Sequence, residues 1–285
     1  MLNNDFMLKA KDGALITGKA YNVEDESVKG ILVICHGFGE HTGNYADFVD
    51  HLVSENYACI VFNQRGHGKL PEKKLGVIPG YQSFLDDIST IIADIKQKAP
   101  NKPIALYGHS MGGNIASNYL FKCGQSDFTC AILESPWLGL YKEAHPLKVI
   151  MAKTLSYVFP DMPLPKKDTE LPLSDITSDV EKQKEFKEDP LYHNRMSMGM
   201  FREIDDGCTY AMNNASNLSI PTFIAIAEDE RIVSNEAIEE FREKCSSDIV
   251  SEEEYASRHS IHNDKKRADF YIDVIAFLNK HCHTV

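Results

Sequence analysis

The chain has 285 residues and a mass of 32.1 kDa, enough to bury roughly three quarters of its unfolded surface and so to build a sizeable core. Its 42 acidic against 30 basic side chains leave a formal charge of -12, which repels nucleic-acid phosphate and anionic lipid at long range. A hydrophobic fraction of 43% with 25% charged residues excludes disorder and fibrous repeats, and no apolar stretch reaches the about 18 residues of a spanning helix.

The start, Met1-Leu2-Asn3-Asn4-Asp5, lacks the basic and apolar run of a secretory leader. Seven cysteines without CxxC or regular spacing read as free thiols, so the expectation is a cytoplasmic protein.

The first twenty residues alternate in polarity around Lys11-Asp12-Gly13, the pattern of a β-hairpin. Gly30-Ile31-Leu32-Val33-Ile34-Cys35 is a continuous apolar run, which predicts a strand buried on both faces. The same signature recurs at 58–62, 104–107, 129–133 and 222–227, with a further strand near Ile249 and helical periodicity over 84–98 and 114–122. Strands alternating with helices predict an α/β fold with a mostly parallel sheet. Residues 266–280 place Phe270, Val274, Phe277 and Leu278 on one stripe, a closing C-terminal helix.

Residues 136–215 break the alternation. They hold seven of the twelve prolines, the only tryptophan (Trp137) and six of the nine methionines, with helical pattern over 149–159 and 180–187. An insertion between two core strands falls at the sheet edge where open α/β proteins bind ligands. The segment therefore reads as a cap or lid, leaving 1–135 and 216–285 as the core.

The sharpest chemical feature is Gly108-His109-Ser110-Met111-Gly112-Gly113, between the apolar strand 104–107 and a helix beginning near Asn114. Glycines two residues either side of Ser110 let the backbone turn sharply and lift the hydroxyl to a helix N-terminus, where partial positive charge favours an oxyanion. A serine needs a base and an orienting carboxylate, in the chain order Ser, acid, His. That order reduces eleven histidines to His259, His262, His281 and His283. His281 and His283 read as a tail beyond the last helix. His259, in the loop after the strand near Ile249, is the expected base, and His262 is expected to begin the helical region or pack beside it.

The turn after 222–227 offers Glu228, Asp229 and Glu230 as the acid, of which only one need meet the imidazole. The oxyanion donors are expected from the amides of Met111 and Phe38, the latter in His36-Gly37-Phe38-Gly39-Glu40-His41. That loop lacks the third glycine of a dinucleotide fingerprint, and Asn63-Gln64-Arg65-Gly66-His67-Gly68 reads as a structural loop beside the site. No HExxH, paired CxxC or P-loop is present, so neither metal nor cofactor is expected.

His36 to Tyr45 (HGFGEHTGNY), Phe62 to Leu70 (FNQRGHGKL), Tyr107 to Gly113 (YGHSMGG), Asp189 to Arg195 (DPLYHNR), Ala227 to Asn235 (AEDERIVSN) and Ala256 to Ile261 (ASRHSI) resemble the α/β-hydrolase family of bacterial lysophospholipases and monoacylglycerol lipases. The resemblance implies Ser110 as nucleophile, His259 as base, Phe38 and Met111 as oxyanion hole, and a cap over an acyl-binding tunnel. It implies Glu230 as the acid, although the family usually has aspartate there and Asp229 stands beside it. Trp137, Leu138, Leu140, Leu147, Val149, Ile150 and Met151, with Met196, Met198, Met200 and Phe201, offer apolar surface for a single acyl chain. The implied reaction is cofactor-free ester hydrolysis through an acyl-serine, with a small-molecule acyl ester as the partner, no nucleic acid, and transient membrane contact through the cap. Its acid limb is expected near the ordinary histidine value of about 6.5. The remaining readings are a broad carboxylesterase, an aminopeptidase-like hydrolase of the same fold, and a non-catalytic binding protein.

Overall fold

A computed structural model describes residues 3–142 and 146–282. Strands β1 (Asn3–Lys9) and β2 (Leu15–Tyr21) form the expected hairpin. They are followed by β3 (Ile31–Cys35), β4 (Ala58–Phe62), β5 (Ile104–His109), β6 (Cys130–Glu134), β7 (Thr222–Ala227) and β8 (Val250–Tyr255). All eight join one sheet in the order β1-β2-β4-β3-β5-β6-β7-β8, parallel except for β1 on β2 and β2 on β4.

The interior strands β3 to β7 are buried at every position and mostly apolar, because helices cover both faces. One face carries α1 (Ala46–Ser54) and α10 (Arg267–His281), whose Phe48, Leu52, Phe270 and Val274 cluster with Leu32, Ile34 and Tyr107 of the sheet. The other carries α2 (Gln82–Lys98), α3 (Met111–Lys122), α8 (Met198–Asn214) and α9 (Asn235–Lys244), with Ile88, Ile115, Ile204 and Phe241 against Val33 and Leu106. Edge strand β8 leaves Glu252, Glu253 and Glu254 exposed, a charged rim that discourages pairing with another sheet.

The insertion between β6 and β7 carries α4 (Pro146–Ser156), α5 (Lys166–Thr169), α6 (Leu173–Ile176), α7 (Val180–Glu188) and α8. Helix α4 begins three residues before the periodicity expected over 149–159 and stops at Ser156, short of Phe159. Helix α8 lies on α3, where Asn114 Nδ2 donates to Ile204 O (3.3 Å) and Asn118 Nδ2 to Gly207 O (3.0 Å). The end of the insertion is thus packed into the core layer, whereas α4 roofs the cavity above Ser110. His281, expected in a tail, ends α10, because the helix runs to it; His283 lies outside the described residues. Among the described residues no helix is long and apolar enough to cross a membrane.

Candidate active site

Strand β5 passes into α3 at Ser110, whose φ of 52° and ψ of -117° are a strained geometry for a non-glycine residue. The crossing is so tight that a Cβ on Gly112 would stand 2.0 Å from Cys35 O, and one on Gly108 2.3 Å from Gly112 O. Backbone bonds hold the turn: Ser110 N donates to Glu134 O (3.0 Å), and Ser110 O accepts from Trp137 N (2.9 Å). Ser110 is 4% exposed and lines a cavity of about 570 Å³ together with Phe38 and His259.

His259 leaves the loop after β8, and its Nδ1 lies 2.7 Å from Glu230 Oε2. The other carboxylate oxygen of Glu230 accepts from the amides of Arg231 (2.9 Å), Ile232 (2.8 Å) and Val233 (3.2 Å), so the carboxylate is fixed from behind. Of the three candidate acids, Glu230 makes the contact. Glu228 is exposed, and Asp229 is exposed and paired with Arg231 and Arg258. Burial raises the Glu230 carboxyl, but His259 and the donated amides outweigh it and hold it below the usual carboxylate value. Burial likewise lowers the His259 imidazole, yet Glu230, with Glu134 and Glu40 behind it, carries it above its ordinary 6.5. The two shifts agree in favouring a charged pair.

The loop bearing Phe38 is anchored on both sides. Gly37 N donates to Glu40 Oε2 (2.7 Å), and Gly39 N donates to His67 Nε2 (3.0 Å). Because Nε2 accepts there, the His67 proton sits on Nδ1, which faces Arg65 O at 2.9 Å. Arg65 grips buried Asp87 (2.6 Å) and Asp12 (2.8 Å). The Arg65–His67 segment is therefore scaffold for the loop after β3. Met111, fully buried, is the first residue of α3, directly after Ser110.

Beneath Ser110 and His259 lies a polar cluster absent from the sequence reading. Glu134, 0% exposed, accepts from His262 N (3.1 Å) and from the Tyr107 hydroxyl, and His262 Nδ1 lies 2.9 and 3.0 Å from its two oxygens. His262, expected at or beside the helix start, sits in a 3-10 turn (Ile261–Asn263) before α10. One signal was available: a carboxylate closing the otherwise apolar run Cys130-Ala131-Ile132-Leu133. The ligand atoms of His109, Glu134 and His262 lie within 4.8 Å of one another. Both oxygens of Glu134 are already engaged by His262 and Tyr107, and His109 stands against this hydrogen-bonded group with its Nδ1 3.5 Å from Glu134 Oε1.

Of the apolar residues expected along the cavity, Trp137, Leu140, Val149, Met151, Met196, Met198 and Phe201 line it. Leu138 and Met200 instead pack in the core, and Leu147 and Ile150 face outward from α4, because only one side of that helix meets the cavity. Leu155, Leu164, Ile176 and Ile232 complete the wall.

A strained serine on the turn after a central parallel strand, followed in the chain by a paired acid and histidine, places the molecule among the α/β-hydrolases. The pattern described as serine aminopeptidase, S33, matches residues 26–266, and the chain belongs to that family. It is 22% identical over 259 residues to the monoacylglycerol lipase of Mycolicibacterium smegmatis, covering 90% of each chain. It is 26% identical over 253 residues to phospholipase YtpA of Bacillus subtilis, covering 88% of this chain and 95% of that one. In structure it is similar to a soluble variant of monoglyceride lipase from Saccharomyces cerevisiae, solved with a substrate analog. There the TM-score is 0.84 at 24% identity, with 99% of this chain and 96% of that one covered, a likeness of fold.

Proposed function

We propose that the protein hydrolyses carboxylic esters of lipids bearing a single acyl chain, monoacylglycerols or lysophospholipids, through an acyl-enzyme on Ser110. Glu230 holds the proton on His259 Nδ1, leaving Nε2 to take the Ser110 proton as the hydroxyl oxygen attacks the ester carbonyl. The amides of Phe38 and Met111 are the donors assigned to the resulting oxyanion. Collapse breaks the carbonyl carbon's bond to the alcohol oxygen, which leaves with the proton from His259. Water, deprotonated by the same nitrogen, then attacks the acyl carbon, and Ser110 Oγ leaves with that proton as the fatty acid is released. The chemistry needs no cofactor.

One observation carries the substrate class: a cavity of about 570 Å³ with apolar walls from α4 to Phe201 and Ser110 among its lining residues. An N-terminal peptide amine would need a free carboxylate to hold it. The cavity offers Glu40, already engaged by Tyr45 and Gly37, and Asp168, on a lining that also carries Lys142, Lys148 and Lys167. This favours the acyl ester over the aminopeptidase chemistry in the family's description. The segment 136–215 is read as the cap. Its outward Leu147, Ile150, Tyr157 and Val158, each more than half exposed, support contact with the lipid surface that supplies the substrate. The seven unpaired cysteines support a reducing, cytoplasmic setting.

The test is a panel of p-nitrophenyl esters and monoacylglycerols of matched chain length, with fluorophosphonate labelling. Labelling at Ser110 and a kcat/KM rising with chain length are expected. Ser110→Ala is expected to lose both turnover and label while keeping its melting temperature. Preference for aminoacyl amides, or absence of label, refutes the reading.

A further inference from the structure

The buried cluster under the nucleophile turn contains a carboxylate that the mechanism above does not use. Glu134 ends β6, beside β5, and its backbone oxygen already holds Ser110 N. Its side chain grips His262, three residues beyond His259 in the same loop, both through the His262 amide and through Nδ1. His262 is further fixed by stacking on Tyr45 (ring centroids 4.5 Å, interplanar 15°) and by Tyr271, whose hydroxyl donates to His262 O (2.7 Å). His109 lies between Glu134 and His259 without a hydrogen bond at Nδ1, which is 3.5 Å from Glu134 Oε1, and its ring centroid is 4.8 Å from that of His259.

We propose that Glu134 is a positioning residue for the reaction, a permanently buried anion that fixes the His259 loop through His262 and favours the imidazolium form of His259 across His109. The inference rests on the assignment of His259 as base. During acylation a positive charge appears on an imidazole enclosed by protein, where a nearby anion acts with little screening. Hydrogen bonds from His262 and Tyr107 and the adjacent imidazoles outweigh burial and hold Glu134 down at about 2, so it is ionised throughout the working range. Burial keeps His109 neutral, pushed down to about 4, so it transmits the field without cancelling it.

The other ionisable groups around His259 are Glu230 after β7, Glu40 from the loop after β3, and His262 and Arg258 on its own loop, the last neutralised by Asp229. From the insertion, Lys142, Lys148, Lys167 and Asp168 line the same cavity. Glu134→Gln keeps the shape and removes the charge.

The experiment is the pH profile of kcat/KM on a short p-nitrophenyl ester, normalised to fluorophosphonate-titrated sites. For Glu134→Gln the acid limb is expected to move down by about 0.5–1 pH unit, with a plateau about three- to tenfold lower. Glu134→Asp, which keeps the charge but withdraws it by one methylene, is expected to move the limb less and serves alone if the glutamine variant does not fold. A limb that stays in place in every variant that folds, whatever the loss in kcat, makes Glu134 a fold residue only and overturns the proposal. Failure of the unsubstituted protein to turn over esters or to label at Ser110 refutes instead the functional reading on which it rests.

Discussion

At Glu230 a single side chain does two jobs with separate atoms: Oε2 faces His259 and Oε1 is tied to three successive amides. Replacing it with glutamine presents an amide donor to Nδ1 and so favours the wrong imidazole tautomer. Glu230→Gln is expected to lower kcat by about 10³–10⁴-fold, whereas Asp229→Asn, at an exposed residue paired to arginines, should change it less than twofold; steady-state kinetics on the two variants decide between them. His259, the proposed base, must be neutral to act, and its surroundings raise its pKa above 6.5. The acid limb of the unsubstituted enzyme is therefore expected above pH 6.5, not at it, and a pH profile with chemistry rate-limiting measures this. The placement of Ser110 at the cavity and of His259 against Glu230 was legible in the sequence because one sits in a spacing with few alternatives and the other follows from chain order. Glu134 was not, because its partners His262 and Tyr107 are 128 and 27 positions away. Nothing local announces such a contact.

At the scale of elements, the turn between β5 and α3 depends on close backbone approach. Gly112→Ala would force a methyl into Cys35 O, against the strand beside β5, and backbone cannot swing aside as a long side chain does. A loss of stability on the order of 3 kcal/mol is expected, read as the midpoint of urea unfolding, together with loss of fluorophosphonate labelling. The interior strands were legible because burial on both faces writes a continuous apolar run. Helix α8 was missed for an equally physical reason: Gly199 and Gly207 dilute its helical pattern. At Gly207 a Cβ would meet Asn114 Oδ1 at 2.7 Å and the Tyr81 ring at 2.8 Å. The residue that weakens the helix locally is the one that lets it seat on α3, and the benefit exists only in the tertiary structure.

At the scale of the whole molecule, four of the described histidines are pushed toward the neutral form by burial. Burial pushes His36, His109 and His193 down to about 4 and His67 well below its ordinary value. Since these groups bind protons more readily unfolded, folding stability falls as pH drops below about 6.5, on the order of 2 kcal/mol for each of the three by pH 5. His259, raised above 6.5, acts in the opposite sense and loses its stabilising contribution as pH rises; it is one group against four. Glu134 adds its own loss only below about 4.5, on the way to its folded value of about 2. Urea midpoints compared at pH 7.5 and pH 5 should show the fall, and an unchanged midpoint would mean that the buried imidazoles are protonated in the folded state.

The single tryptophan of the chain stands beside the Ser110 turn: the Trp137 amide donates to Ser110 O, and the residue, 8% exposed, lines the cavity. With no second indole elsewhere to mask it, the native emission spectrum is a one-channel optical reporter of what occupies that space. Titrating an inert ether analogue against it would give an affinity without turnover, with no dye attached to the protein.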